Sequence, residues 1–194
     1  MPPGPQPTLA TARLRLRPFT PADAAEVWRL AGERAIADTT ANIPHPYALA
    51  DASAWLAIHA PQWEAGRLAN WAITLAQGGE LVGAAGLVLE PAFERAELGY
   101  WIAVPHWGRG FATEASRAAV EFGFRALGLH RIQARHLVRN PASGRVMIKL
   151  GMRAEGVLRH SLRKWGVWED LALYSVLAHE WPASAVDAGA APAG

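Results

Sequence analysis

The stretch Glu97-Leu98-Gly99-Tyr100-Trp101-Ile102-Ala103-Val104-Pro105-His106-Trp107-Gly108-Arg109-Gly110-Phe111-Ala112-Thr113-Glu114-Ala115 changes its hydrophobic period halfway along. Before Pro105 it alternates as a strand does, with Leu98, Tyr100 and Ile102 on one face and Glu97 on the other. From residue 110 to 127 the period is helical. Glu114, Arg117, Glu121 and Arg125 recur on one side, Phe111, Ala115, Ala118, Ala119 and Phe122 lie elsewhere, and Gly128 provides a stop. A strand therefore runs into a glycine-containing turn and out into a helix. Unpaired amides at such a helix start, with the positive end of the helix dipole, attract phosphate oxygens, and the glycines let the backbone come close. Pyrophosphate is the natural ligand of this geometry, although a glycine pair before a helix also serves as a plain tight connection.

Upstream, Arg13-Leu14-Arg15-Leu16-Arg17 alternates strictly, as a half-buried strand with a solvated arginine face. Thr20-Pro21-Ala22-Asp23 reads as an N-cap, a first-turn proline and an early acid that open a helix carrying Val27, Trp28 and Leu30. After a loop with Pro44, Pro46 and Tyr47, a second helical stretch holds Trp55, Ile58, His59 and Trp63. Residues 71–75, 81–89 and 96–104 read as three strands, the first two joined by a Gln77-Gly78-Gly79-Glu80 turn, which suggests an antiparallel meander. Downstream come a strand at 131–138, a short helix opened by Asn140-Pro141 and ended at Leu150-Gly151, and a hairpin of 157–163 with 168–177. The order is β-α-α-β-β-β-α-β-α-β-β, an α+β arrangement with no internal repeat. Residues 1–10 and 182–194 are rich in Pro, Ala and Gly and are expected to be loose, leaving one domain over 11–181.

The 194 residues suit a single core, and 51% hydrophobic against 19% charged residues argues against disorder. With no cysteine, disulfides, thiolate metal ligands and cysteine acyl-enzymes are excluded. Net charge is +2, and the cations, all arginine except Lys149 and Lys164, form no run, so nucleic-acid binding has little support. Seven histidines show no close pair at ligand spacing, and no metal is expected. No stretch approaches the roughly 18 apolar residues of a membrane span. The proline-rich start lacks the basic and apolar regions of a secretory signal, so the expected location is cytoplasmic.

The turn Trp107-Gly108-Arg109-Gly110-Phe111-Ala112 resembles motif A of the GNAT superfamily, an Arg/Gln-x-x-Gly-x-Gly/Ala turn that cradles the coenzyme A pyrophosphate. Trp107 departs from the usual Arg or Gln, which backbone-held phosphate tolerates. Collinear matches extend over almost the whole domain. They are Arg13-Leu14-Arg15-Leu16-Arg17-Pro18, Gly79-Glu80-Leu81-Val82-Gly83, Asn140-Pro141-Ala142-Ser143 and Lys149-Leu150-Gly151-Met152. Gly-Tyr-Trp before the turn and Ala-Thr-Glu-Ala after it look like the branch containing ribosomal-protein N-terminal acetyltransferases.

The resemblance implies a mixed central sheet of about seven strands flanked by helices, with acetyl-CoA as cosubstrate. It implies that the main chain at Ile102, Ala103 and Val104 receives the thioester and pantetheine arm, and that Arg109, Gly110, Phe111, Ala112 and Thr113 hold the pyrophosphate. Asn140 would face the pantetheine arm and Ser143 the thioester sulfur, although both residues also suit a plain helix start. Without cysteine, the acyl group should pass directly to an amine in a ternary complex. At pH 7 an α-amine costs only about 1 to 1.4 kcal/mol to deprotonate and a lysine about 4.6. One carboxylate acting through water then suffices as base. Glu97 is the choice, against an ion-pair reading and the competitors Glu90, Glu94, Tyr100, His106 and His136. Ser143 would protonate the leaving thiolate.

Residues 43–63, Trp71 and the hairpin near 164–168 should form the acceptor pocket. The expected acceptor is a protein N-terminus. The alternatives are a small amine such as an antibiotic or polyamine, or a non-catalytic acyl-CoA-binding module. A homodimer is plausible only by family analogy.

Overall fold

Leu14 and Leu16 are fully buried and Arg15 between them is exposed, as the alternation requires. The computed structural model describes residues 4–182, in which eight strands form one sheet: β1 (Leu9–Ala10), β2 (Leu14–Pro18), β3 (Leu68–Leu75), β4 (Leu81–Glu90), β5 (Arg95–Ile102), β6 (Arg131–Leu137), β7 (Arg153–Lys164) and β8 (Val167–Leu177). Their spatial order is β1-β2-β3-β4-β5-β6-β8-β7. All neighbours are antiparallel except β5 and β6, which the crossover helix α5 (Phe111–Arg125) makes parallel.

Each sheet face has its own core, as alternating side chains dictate. Trp71, Ile73, Leu87 and Leu98 pack with Ala115, Ala119, Val120 and Phe124 of α5 and with Met147 of α6 (Pro141–Lys149). On the other face, Ala72, Ala84 and Trp101 meet Val27 and Leu30 of α1 (Ala24–Ala31), Ile36 of α2 (Arg34–Thr39), and Ala52 and Leu56 of α3 (Leu49–Ala57). Helix α4 (His59–Glu64) follows α3 directly.

The sheet's central seam is short. β5 pairs with β6 only over Arg95–Glu97 against Arg131–Gln133. Beyond that, β5 continues with β4 to Ile102 and β6 with β8 to Leu137. The two halves splay apart, and the gap between them is where a ligand can reach strand backbone.

Several features differ from the sequence expectation, among them an additional helix, α2, before α3. The sheet has eight strands rather than about seven, because two residues, Leu9 and Ala10, suffice to pair with Leu16 and Arg15. The segment 4–10, expected to be loose, is tied to the core: Trp63 Nε1 donates to Gly4 O at 3.1 Å, Gln6 Nε2 to Asn70 O at 2.9 Å, and Trp71 Nε1 to Pro7 O at 2.8 Å. The arginine face of β2 is only partly solvated. Arg17 grips Asp23 through two bonds of 2.8 and 2.6 Å, while Asp23 accepts the Thr20 N–H of the expected cap. Arg13 pairs with Glu114 at 2.6 Å. The expected loose tail lies outside the described residues from 183 onward. Among the described residues, no helix is long and apolar enough to cross a membrane.

Candidate active site

At the open end of β5 the backbone sets the geometry. Ala103 N–H donates to Val82 O at 2.8 Å, so antiparallel alternation turns the amide groups of Ile102 away from β4 and into the gap. Val104 opens a short 3-10 turn, and the following turn brings Gly108 and Gly110 to φ of 76° and 81°. A side chain is costly at such φ, whereas glycine adopts it freely. Gly110 is the N-cap of α5, so the helix starts with bare backbone facing a cleft of about 340 Å³. Lining the cleft are Ile102, Gly108, Gly110, Phe111, Ala112 and Thr113, with Asn140 and Ser143 from the start of α6 opposite.

These observations fit a long phosphorylated ligand with an amide-bearing arm. The turn supplies amides and the positive helix end, and a Cβ at Gly108 would meet nothing within 4 Å, leaving open room. Of the residues singled out from sequence, Ala103 is fully buried with its N–H committed to Val82, and neither it nor Val104 lines the cleft. Arg109 also lies outside the lining, and its carbonyl accepts from Arg13 Nη1 at 3.0 Å. Trp107, at the family's Arg/Gln position, donates its indole N–H to Ile102 O at 2.5 Å. Asn140 is a helix cap, accepting from Ser143 N at 3.4 Å, and its Nδ2 donates to Thr39 O at 3.1 Å.

A second cleft of about 390 Å³ lies on the α1–α4 face. It is walled by Thr39 to Ile43 and Trp55 on one side and by Arg135, His136, Ser161 and Leu162 on the other. Of the residues expected from sequence to form an acceptor pocket, Ile43 and Trp55 line this cleft and others do not. Trp71 is fully buried in the α5-side core, and the hairpin contributes Ser161 and Leu162 rather than its tip. At that tip, Lys164 is buried and its Nζ donates to Thr40 O at 2.7 Å, holding the wall in place.

Tyr100 and Ser143 line both clefts and mark their junction. Ser143 Oγ is 2.8 Å from Tyr100 Oη, which is also 3.1 Å from Ser143 O. Burial pushes the Tyr100 phenol up to about 12, so it stays protonated. Its single proton has two acceptors. When it goes to the Ser143 carbonyl, the serine hydroxyl donates to the phenol, and when it goes to Oγ, the serine proton is free for a third group.

Glu97 lines the second cleft on the face opposite Leu98, as read from sequence. Its carboxylate accepts from Arg135 Nε at 3.0 Å and Nη2 at 2.8 Å, and from Gln133 at 3.4 Å. His136 lines the same cleft, is buried, and sits with Nδ1 2.8 Å from Leu137 O, while Nε2 has no partner among the described residues. Glu90 pairs with Arg95, and Glu94 lies at the opposite end of β5 from the junction. His106 sits 3.2 Å from Glu80 in the wall of the first cleft.

A family model described as an acetyltransferase (GNAT) domain matches residues 13–153. The uncharacterized N-acetyltransferase YoaA of Bacillus subtilis is 33% identical over 172 residues, 88% of this chain and 97% of that protein. The [ribosomal protein uS5]-alanine N-acetyltransferase of Escherichia coli is 32% identical over 104 residues, 53% of this chain and 54% of its own length. The structure of Mycobacterium smegmatis RimJ, solved in complex with CoA-disulfide, matches with a TM-score of 0.85 and 30% identity over 97% of this chain and 98% of that one.

Proposed function

The chain belongs to the GNAT acetyltransferase family as an acetyl-CoA-dependent N-acetyltransferase, and from that premise we propose that its acceptor is the N-terminal α-amine of a protein or peptide. The observation that carries this reading is the second cleft, which meets the first at Tyr100 and Ser143. Its charged lining residues, Glu97 and Arg135, neutralise each other, so the cleft offers no free acid to a polycationic amine. Relatives named for ribosomal-protein N-acetylation support the same choice.

Bound acetyl-CoA supplies the thioester and a leaving thiolate. The turn from Gly108 to Thr113 holds its pyrophosphate, and the backbone of Ile102 meets the pantetheine arm and the developing oxyanion. No cysteine is present to take the acyl group, so the amine attacks directly, the C–N bond forming as the C–S bond breaks. Water held by Glu97, whose carboxylate also pairs with Arg135, takes the proton of the amine, a step that costs an α-amine only about 1 to 1.4 kcal/mol at pH 7. Ser143, its hydroxyl proton left free when Tyr100 donates to Oγ, passes that proton to the thiolate and is reprotonated by water in the cleft.

The first measurement is thermal unfolding with acetyl-CoA, coenzyme A or ATP, followed by acetyl-CoA turnover on free-amine peptides and on polyamines. Acetyl-CoA and coenzyme A at a hundred times Kd should each add about 2.7 kcal/mol, with ATP far less. Turnover on polyamines without turnover on peptides would sink the proposed acceptor.

A further inference from the structure

The floor of the second cleft has a gap in its side chains. Gly86 and Gly99 face each other across β4 and β5, and Asn70 stands beside Gly86 on β3, so the three residues form one row across the sheet. A Cβ on Gly86 would fall 2.4 Å from Asn70 Oδ1 and 2.9 Å from Ala69 O. Glycine at this position is what lets Asn70 lay its amide over the floor. At Gly99 a Cβ would meet nothing within 4 Å, so the space above it is open and no crowding demands the glycine.

Asn70 is also held in place at the other end of its amide. Its Nδ2 lies 3.1 Å from Nε2 of His59, a buried ring packed 4.5 Å from Trp55 and 5.2 Å from Phe19. Burial brings the His59 pKa down to about 4, so near neutral pH the ring is uncharged and its Nε2 can accept. With Nδ2 so engaged, Oδ1 is the end left for the groove, and it makes no hydrogen bond among the described residues. Asn70 itself is 8% exposed. A buried amide fixed at one end and open at the other is a positioned acceptor for an N–H group.

We propose that the row Asn70, Gly86 and Gly99 seats the acceptor's main chain, with Asn70 Oδ1 accepting a backbone N–H downstream of the reacting amine. This rests on the peptide reading above and adds to it a requirement for length. Strands about 4.8 Å apart place Asn70 roughly 10 Å from Gly99, which three residues of extended chain at about 3.3 Å each would span. An acceptor of one residue reaches the junction beside Tyr100 but not Asn70.

The test is steady-state acetylation of free-amine, C-terminally amidated alanine oligomers of one to five residues by the full chain and by the Asn70→Ala and Gly99→Val variants. For wild type, kcat/KM should rise with length and level off near three residues. Asn70→Ala should lower kcat/KM about 5-fold for three residues or more and leave the single residue unchanged, the size of one hydrogen bond. Gly99→Val, which builds into open space, should impair every oligomer while the rise in Tm with acetyl-CoA is kept. An Asn70→Ala loss equal at all lengths, no loss at all, or wild-type kinetics in Gly99→Val overturns this inference alone. Wild-type turnover of no oligomer overturns the peptide reading, and the inference with it.

Discussion

Ser143 and Tyr100 form a pair whose chemistry depends on one shared proton. The phenol is kept protonated by burial, up to about 12, and lies 2.8 Å from the serine hydroxyl. Ser143→Ala should lower kcat about 10- to 100-fold, with acetyl-CoA affinity nearly unchanged, because general-acid assistance is lost and the lining is not. Unchanged kcat in the presence of saturating substrates would show that the thiolate leaves unaided. His59 makes a different prediction, about stability. Its folded pKa of about 4 lies below the usual 6.5, so the folded state binds fewer protons than the unfolded one. The associated stability is therefore present above about pH 6.5 and is lost as pH falls toward 4, by about 3 kcal/mol in all. Denaturant titrations of wild type and His59→Phe between pH 4 and 7 should diverge in slope over that window, and parallel curves would exclude His59 as the source. Ser143 and Tyr100 were singled out from sequence, but not their contact, and the second pair was not legible at all, since His59 was one more residue of a helical stretch and Asn70 stood unremarked before Trp71. The link between them crosses from helix to strand, and neither residue type announces such a partner.

At the scale of elements, the turn before α5 was readable because its signals are local. The change of period, the two glycines and the helix stop lie within about thirty residues, and each is imposed by backbone sterics. Helix α2 escaped notice because its six residues lie next to α1 and lack a cap signal, with Glu33 as N-cap making no side-chain bond. Yet α2 and the residues after it wall both clefts. Their carbonyls are held from the far half of the chain: Arg139 donates to Asp38 O at 2.7 Å, Asn140 to Thr39 O at 3.1 Å, and Lys164 to Thr40 O at 2.7 Å. Lys164→Met keeps most of the side chain's length and removes its donors. It should cost about 1 to 3 kcal/mol of stability and raise the acceptor KM several-fold, as a half-buried carbonyl loses its partner and the wall loosens. Chemical denaturation and acceptor kinetics would check the two effects separately, and wild-type values in both would show that the wall stands without Lys164.

At the scale of the whole molecule, the sheet's first edge depends on residues that composition marked as loose. Gly4, Gln6 and Pro7 each take part in a hydrogen bond with Trp63, Asn70 or Trp71. Deleting residues 1–8, which spares β1, should therefore lower stability by about 3 kcal/mol, at about 1 kcal/mol for each bond, seen as a fall in the urea midpoint. A midpoint equal to that of the full chain would return the segment to the status its composition suggested. The sequence by itself determined the α+β class and most element positions, because caps, periods and the glycine turn act over a few residues, and the family with its acetyl-CoA chemistry came from the collinear resemblance of its motifs to GNAT enzymes. Only the tertiary structure decided where β5 leaves β6, that Tyr100 and Ser143 meet at the junction of two clefts, that Glu97 is paired with Arg135, and that Asn70 rests on His59. Those relations join residues that chain order keeps apart, and they follow from strand pairing and burial, which no local pattern encodes.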